Sequence, residues 1–234
     1  MHEKSGKASF GHIYDRRDPR EYFKTLGSMD YKIPGHGQRL FSALVEQRRG
    51  ANGDPVNVVD LCCSYGINAA LLKYDVTLDD LYERYCSEEL EALSSSELAE
   101  SDVAYYAARV KEPAPRVIGV DVAENAVSYA LKAGLLDAGA AENLENAPPS
   151  KTLREAVSSA DIFTVTGGIG YITERTFEAL LDCVDRGSPP WVVSGARSAV
   201  GVIRGDLRCL RQACARDRET RGPHLRATPL RGRR

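Results

Sequence analysis

The sequence has no apolar run of membrane-spanning length, and its polar lead, MHEKSGKASFGH, has no hydrophobic segment of signal-peptide type behind it. A membrane partner is therefore not expected, and the expected compartment is the cytoplasm. Six cysteines (62, 63, 86, 183, 209 and 214) show no four-ligand zinc spacing, and the adjacent Cys62 and Cys63 are poorly placed to bridge each other. Reduced thiols, with no metal site, are the expectation. A true G-x-G-x-x-G and a Tyr-x-x-x-Lys pair are also missing, which disfavours a dinucleotide-dependent oxidoreductase. From Gly195 onward there is no lysine and no aromatic residue, but eleven arginines stand against three acids, a net charge of +8. The rest holds 20 basic and 30 acidic residues, a net charge of -10. That composition break has two readings. One is an arginine arm for nucleic acid, with a non-catalytic body. The other, which we prefer, is an end that does not continue the evolved domain, as a shifted frame or a foreign extension would give; nucleic acid is then not an expected partner.

What is present fits one α/β domain with decorations, since 234 residues at 43% hydrophobic and 27% charged are too few for two ordinary domains. Near-continuous apolar runs predict strands at 56–61 (VNVVDL), 116–120 (RVIGV), 161–166 (DIFTVT) and 191–194 (WVVS), with a weaker one at 135–141. Helical patterns fall between them, at 67–73, 124–134 and 173–184, so βαβ units and a Rossmann-like, mostly parallel sheet with helices on both faces are predicted. Nothing after Ser194 reads as a strand, so the closing strands are expected to be missing. Residues 1–50 read as an N-terminal helical cap segment, starting at Asp18-Pro19 and interrupted by Gly27, Pro34, Gly35 and Gly37. Residues 51–194 read as the sheet domain, 77–115 as a helical insertion within it, and 195–234 as the atypical tail. In the insertion, Thr77 with Asp80 and Ser94 with Glu97 have helix-start spacing.

In a parallel sheet the ligand crevice lies beyond the carboxyl ends of the strands. Asp60, Cys62, Ser64 and Gly66 alternate after the first strand, small enough for backbone N–H groups to approach a ligand. Asp121 ends the second strand, where a carboxylate can accept both hydroxyls of a ribose. Asn143 follows the third strand, and Thr166, Gly167 and Gly168 follow the fourth. Each has a plainer alternative: Asp60 or Asp121 as a helix cap, the cysteines as small buried hydrophobes, the glycines as a flexible turn.

The order VVDLCCSYG, RVIGVD, ADIFTVTGGIGYI resembles motifs I, II and IV of class I S-adenosylmethionine-dependent methyltransferases, over about Pro55 to Ser194. The resemblance implies S-adenosylmethionine as cofactor, a small-molecule acceptor and direct methyl displacement. It places Asp60, Cys62, Ser64 and Gly66 in the cofactor loop, Asp121 on the ribose, Asn143 near adenine, and Thr166 with Gly167 at the methionine and substrate end. This chain departs from the pattern in keeping only Gly66 of the loop glycines, which predicts either a backbone farther from the cofactor or a less extreme turn. It also spaces Asp60 and Asp121 by 61 positions, an excess that matches the insertion. Candidates for substrate contact or a base lie in the N-terminal segment: Tyr14, Tyr22, Tyr31 and His36. Tyr14 and His36 are the catalytic candidates, His36 because imidazole titrates near neutrality. Tyr65 and Tyr171 either wall the site or simply pack. Oligomeric state is not legible.

Overall fold

The computed structural model describes residues 13–50, 54–168, 170–185, 187, 189–196 and 199–204. Two helices, α1 (Arg20–Gly27) and α2 (Ile33–Arg48), precede a sheet built from β1 (Asn57–Leu61), β2 (Arg116–Asp121), β3 (Ala138–Ala141), β4 (Ile162–Thr166), β5 (Trp191–Ala196) and β6 (Ala199–Arg204). The helices α3 (Ile67–Lys73), α4 (Leu78–Tyr85), α5 (Ser95–Ala107), α6 (Glu124–Lys132), α7 (Lys151–Val157) and α8 (Glu174–Leu181) lie between the strands. The strand order is β3-β2-β1-β4-β5-β6, with the first five strands parallel and β6 antiparallel to β5. This is the predicted Rossmann-like α/β fold.

The period-two geometry of the strands divides their side chains between two cores. Val58, Val117 and Ile162 are in register and face the larger core, with α3, α6 and the N-terminal helices. Val59, Ile118, Phe163 and Val192 face the other, covered by Leu153 and Val157 of α7 and Phe177 and Leu180 of α8. Both faces of the central strands are therefore dry, as their continuous apolar runs require. The segment read as an insertion, 77–115, is largely helical, and both of its start signals form full capping boxes, Thr77 with Asp80 and Ser94 with Glu97. Its anchor is Asp102, fully buried on α5. One carboxylate oxygen accepts from Arg84 at 2.8 Å, and the other accepts the hydroxyls of Tyr85 at 2.5 Å and Tyr129 at 2.7 Å.

Three expectations need correction. A strand does follow Ser194: β6 pairs with β5 from Ala196↔Ala199 to Trp191↔Arg204, so one closing antiparallel strand is present. The rest of the tail, including Cys209 and Cys214, lies outside the described residues. Second, α2 runs through Pro34, Gly35 and Gly37 instead of starting after them. Proline is at home in a first helical turn, and a side chain added at Gly35 or Gly37 would crowd Leu78 or Phe41, so the glycines permit close packing. Third, α7 has no counterpart in the sequence reading. Its start is marked by Ser150, whose hydroxyl accepts from the N–H of Leu153 at 3.1 Å.

Candidate functional site

The candidate site is at the carboxyl end of the sheet, where the chain leaves β1, β2 and β4. The turn after β1 has three alternating residues in the left-handed region: Cys62 (φ 56°), Ser64 (φ 49°) and Gly66 (φ 75°). The expectation of a less extreme turn is thus overturned; cysteine and serine adopt the conformation that glycine normally supplies. The backbone bonding of the turn explains why. The Cys62 N–H donates to the Val120 carbonyl at 2.8 Å, the Ser64 N–H to Asp121 Oδ2 at 2.8 Å, and the Gly66 N–H to the Cys63 carbonyl at 2.9 Å. A Cβ at Gly66 would sit 3.2 Å from both Ala130 and Leu135, so this glycine also lets α3 pack against the α6 region.

Asp60 forms the floor. Its Oδ1 accepts from Asn68 Nδ2 at 2.9 Å and from the Thr164 hydroxyl at 2.7 Å, and Asn68 also donates to the Thr166 hydroxyl at 3.0 Å. Its Oδ2 is buried without a hydrogen-bond partner, as is the hydroxyl of Ser64. Burial raises the Asp60 carboxyl to about 6, against the opposing hydrogen bonds from Asn68 and Thr164. Buried polar groups are almost always paired, so Asp60 Oδ2 and Ser64 Oγ are candidate contacts for a polar ligand at this end of the sheet.

Asp121 faces the turn from β2. Besides the Ser64 N–H it accepts the Ala123 N–H at 3.0 Å, and burial raises its carboxyl above the usual carboxylate range. Each carboxylate oxygen keeps acceptor capacity beyond one N–H. Asn143 is exposed after β3, where its Oδ1 accepts the N–H of Glu145 at 3.1 Å. Glu145 in turn binds the start of α8, accepting from the Thr173 N–H and the hydroxyls of Thr173 and Thr176 at 2.6–2.8 Å. At the end of β4, Gly167 is left-handed (φ 71°), and a Cβ there would be 2.6 Å from the Tyr31 hydroxyl. A Cβ at Gly168 would lie 2.5 Å from Cys62, so the β1 and β4 turns touch through a glycine.

The N-terminal segment lies over this end of the sheet. The Tyr65 hydroxyl accepts the Arg16 N–H at 2.7 Å and lies 3.0 Å from the Ile13 carbonyl, and Asp15 Oδ1 accepts the N–H of Asn125 on α6 at 2.8 Å. Tyr65 is therefore a buried anchor of that segment, whereas Tyr171 is 66% exposed. The Tyr14 hydroxyl is held protonated by burial and then by the nearness of Tyr31, Tyr171 and Asp121. Tyr22 is a core residue, edge-on to Tyr14 and Tyr65. His36 is exposed on the first turn of α2, not in a loop, and its side chain has no hydrogen bond or ion pair among the described residues. The thiols of Cys62 and Cys63 are pushed well above their ordinary range, first by burial and then by Asp121 and Asp60. Among the described residues no group of three or more His, Cys, Asp or Glu is placed to hold a metal ion, and no helix is long and apolar enough to cross a membrane.

An open groove of about 700 Å³ lies outside this site, beside α1. Its charged groups are largely paired with each other, Arg20 with Asp18 at 2.8 Å and Lys24 with Glu91 at 2.6 Å, and we assign it no ligand.

Asn68 and Thr164 were missed from the sequence, although the parallel register that sets Asp60 opposite Thr164 was implicit in the two strands. No family model matches the chain, and no curated protein matches it. Among solved structures it is similar to an S-adenosyl-L-methionine-dependent methyltransferase from Methanococcus maripaludis, at 13% identity and a TM-score of 0.39 over 95% of this chain and 76% of that one. It is also similar to the plantazolicin methyltransferase BpumL in complex with SAH, at 14% identity and a TM-score of 0.40 over 78% of this chain and 59% of that one. Likenesses this slight assign neither family nor activity, and the fold rests on the strand order and the two cores described above.

Proposed function

We propose that this chain is an S-adenosylmethionine-dependent methyltransferase acting on a small molecule. The observation that carries the reading is the pair of buried, unpartnered atoms, Asp60 Oδ2 near the end of β1 and Ser64 Oγ on the left-handed turn that follows, whose backbone N–H is held by Asp121. The residues fit such a cofactor: the floor offers a carboxylate oxygen and a hydroxyl, and Asp121 keeps lone pairs for the two hydroxyls of a ribose. In this reading Asp60, Cys62, Ser64 and Gly66 form the cofactor turn, Asp121 binds the ribose, Asn143 borders adenine, and Thr166 and Gly167 border the reacting end. When bound, S-adenosylmethionine supplies a methyl group on a positively charged sulfur, ready for direct displacement.

The chain's own part is then alignment and exclusion of water. Asn68 fixes the Asp60 carboxylate by bridging it to Thr166, and Gly168 lets the β1 and β4 turns approach without a side chain between them. Tyr14, held protonated, serves as a neutral hydrogen-bonding wall and not as a base. His36, exposed on α2, is left as an acceptor contact at most.

Calorimetry with S-adenosylhomocysteine tests the reading. Wild type binds it, and Asp121→Ala, with its fold checked by circular dichroism, loses that binding. Absence of binding by wild type, or unchanged affinity in the variant, overturns the proposal.

A further inference from the structure

Asp60 is fully buried near the end of β1, and both of its hydrogen bonds fall on one oxygen. Oδ1 accepts from Asn68 Nδ2 at 2.9 Å and from the Thr164 hydroxyl at 2.7 Å, while Oδ2 meets neither water nor a protein donor. An ionised carboxylate has about four acceptor sites to fill, so half of this one is left bare. Among the described residues the elements packed around it bring it no positive charge. Helix α3 contributes Asn68, and its lysine, Lys73, is at the far end and bound to Asp137. Strand β4 contributes Thr164 and Thr166, which do not titrate. Strand β2 contributes Asp121, a second carboxylate whose charge opposes that of Asp60, and the turn contributes Cys62 and Cys63, whose thiols stay protonated.

A buried charge without a counter-charge is costly, and such a group neutralises itself by keeping its proton. Burial, opposed by the hydrogen bonds from Asn68 and Thr164 and helped by Asp121, raises the Asp60 carboxyl to about 6. With Oδ1 already accepting two hydrogen bonds, the proton of the neutral form belongs on Oδ2. A ligand that brings positive charge and hydrogen-bond donors to this end of the sheet reverses the balance, because it supplies what Oδ2 lacks and favours the carboxylate. S-adenosylmethionine and S-adenosylhomocysteine both carry an ammonium group and two ribose hydroxyls.

We infer that cofactor binding is coupled to loss of the proton from Asp60 Oδ2, so that this residue makes occupancy of the site depend on acidity; this rests on the cofactor reading above. The proton passes to solvent as the ligand enters, and the O–H bond pair stays on the carboxylate, which then accepts from the ligand. Neutral Asp60 offers a hydroxyl where the ligand brings donors, so the protonated chain is the weaker binder. By linkage, a site that binds through the carboxylate alone loses about tenfold in affinity for each pH unit below the titration of Asp60 and is constant above it.

Calorimetric titration of S-adenosylhomocysteine into the full chain tests the coupling, with folding checked by circular dichroism at each pH. Wild type binds about tenfold more weakly at about pH 5 than at about pH 8. Titration in two buffers of different ionisation enthalpy shows about one proton released per ligand at about pH 5 and none at about pH 8. Asp60→Asn, which keeps an acceptor for Asn68 and Thr164, binds with the same affinity at both. A second readout does not need the variant to bind: free wild type at about pH 5 shows a protonated-carboxyl infrared stretch that free Asp60→Asn lacks and that wild type loses when S-adenosylhomocysteine is added. Equal wild-type affinity at the two pH values, proton uptake on binding, the wild-type pH dependence retained in Asp60→Asn, or a stretch that persists in the complex overturns the inference while the cofactor reading stands. If S-adenosylhomocysteine binds at neither pH, the cofactor reading falls and the inference falls with it.

Discussion

Ser64→Gly separates what the left-handed turn does for folding from what it does for binding. Ser64 is held at φ 49° with its hydroxyl buried and unpartnered, so the folded chain carries two local penalties at one residue. A left-handed conformation costs a non-glycine residue about 1 kcal/mol, and a buried polar group without a partner costs about 1 kcal/mol or more. Glycine removes both but gives the unfolded chain more freedom, which opposes folding by about 0.7 kcal/mol. The net gain is about 1 kcal/mol, which for a chain of this size raises the melting temperature by about 2–4 °C. Binding moves the other way. The missing partner of the hydroxyl is assigned to the ligand, so S-adenosylhomocysteine affinity falls about fivefold, the worth of one hydrogen bond. Scanning calorimetry of the free chain and titration of the ligand read the two effects separately. Ser64→Ala supplies the control, because it deletes the hydroxyl and keeps the strained backbone, so it shares the loss of affinity with a smaller gain in stability. A lower melting temperature for Ser64→Gly would refute the strain argument, and an unchanged affinity would refute the assignment of the hydroxyl to the ligand.

The buried floor gives a pH-dependent prediction. Asp60 is raised from 3.8 to about 6 in the folded chain, so it favours the folded state fully below the unfolded value, and that contribution, about 3 kcal/mol, is lost as pH rises through 6. Urea titrations from about pH 4 to about pH 7 are therefore expected to show wild type losing stability relative to Asp60→Asn, and parallel curves would sink the assignment. In the insertion, Asp102→Ala leaves Arg84, Tyr85 and Tyr129 facing an empty acceptor site in a buried position. It is expected to cost about 3–5 kcal/mol in urea unfolding, and a loss below 1 kcal/mol would show that the network is not the anchor described above.

The parts of the fold that were legible in the sequence are those whose signal is local. Val58, Val59, Ile118 and Phe163 sit in runs that only a doubly covered strand explains, and the two capping boxes need just four residues each. The elements that escaped have weak or diluted local signals. Helix α7 is seven residues long behind two prolines, and β6 sits inside an arginine-rich stretch whose composition hid its AVGVIR run. The site divides in the same way. Asp60, Ser64, Gly66 and Asp121 were visible because strand ends order them along the chain. Asn68 and Thr164 were not, because what makes them matter is register and a side-chain bridge across the sheet. The left-handed state of Cys62 and Ser64 was misjudged because residue size was weighed alone. Here the backbone is held by Val120 and Asp121 on the neighbouring strand, so tertiary hydrogen bonds impose the turn on residues that do not prefer it.

These tertiary contacts also tie the site to the segments around it. Arg20 donates to the carbonyls of Leu90 and Leu93 in the insertion, and Asp18 accepts the hydroxyl of Ser95 at the start of α5. Helix α5 in turn holds α6 through Asp102 and Tyr129, and α6 returns to the N-terminal segment through Asn125 and Asp15. The circuit closes around Tyr14, whose neighbours in sequence are fixed by Tyr65 on one side and by Asp15 on the other. The circuit meets the turn between β1 and α3 directly, because Tyr65, which anchors Ile13 and Arg16, stands within that turn between Ser64 and Gly66.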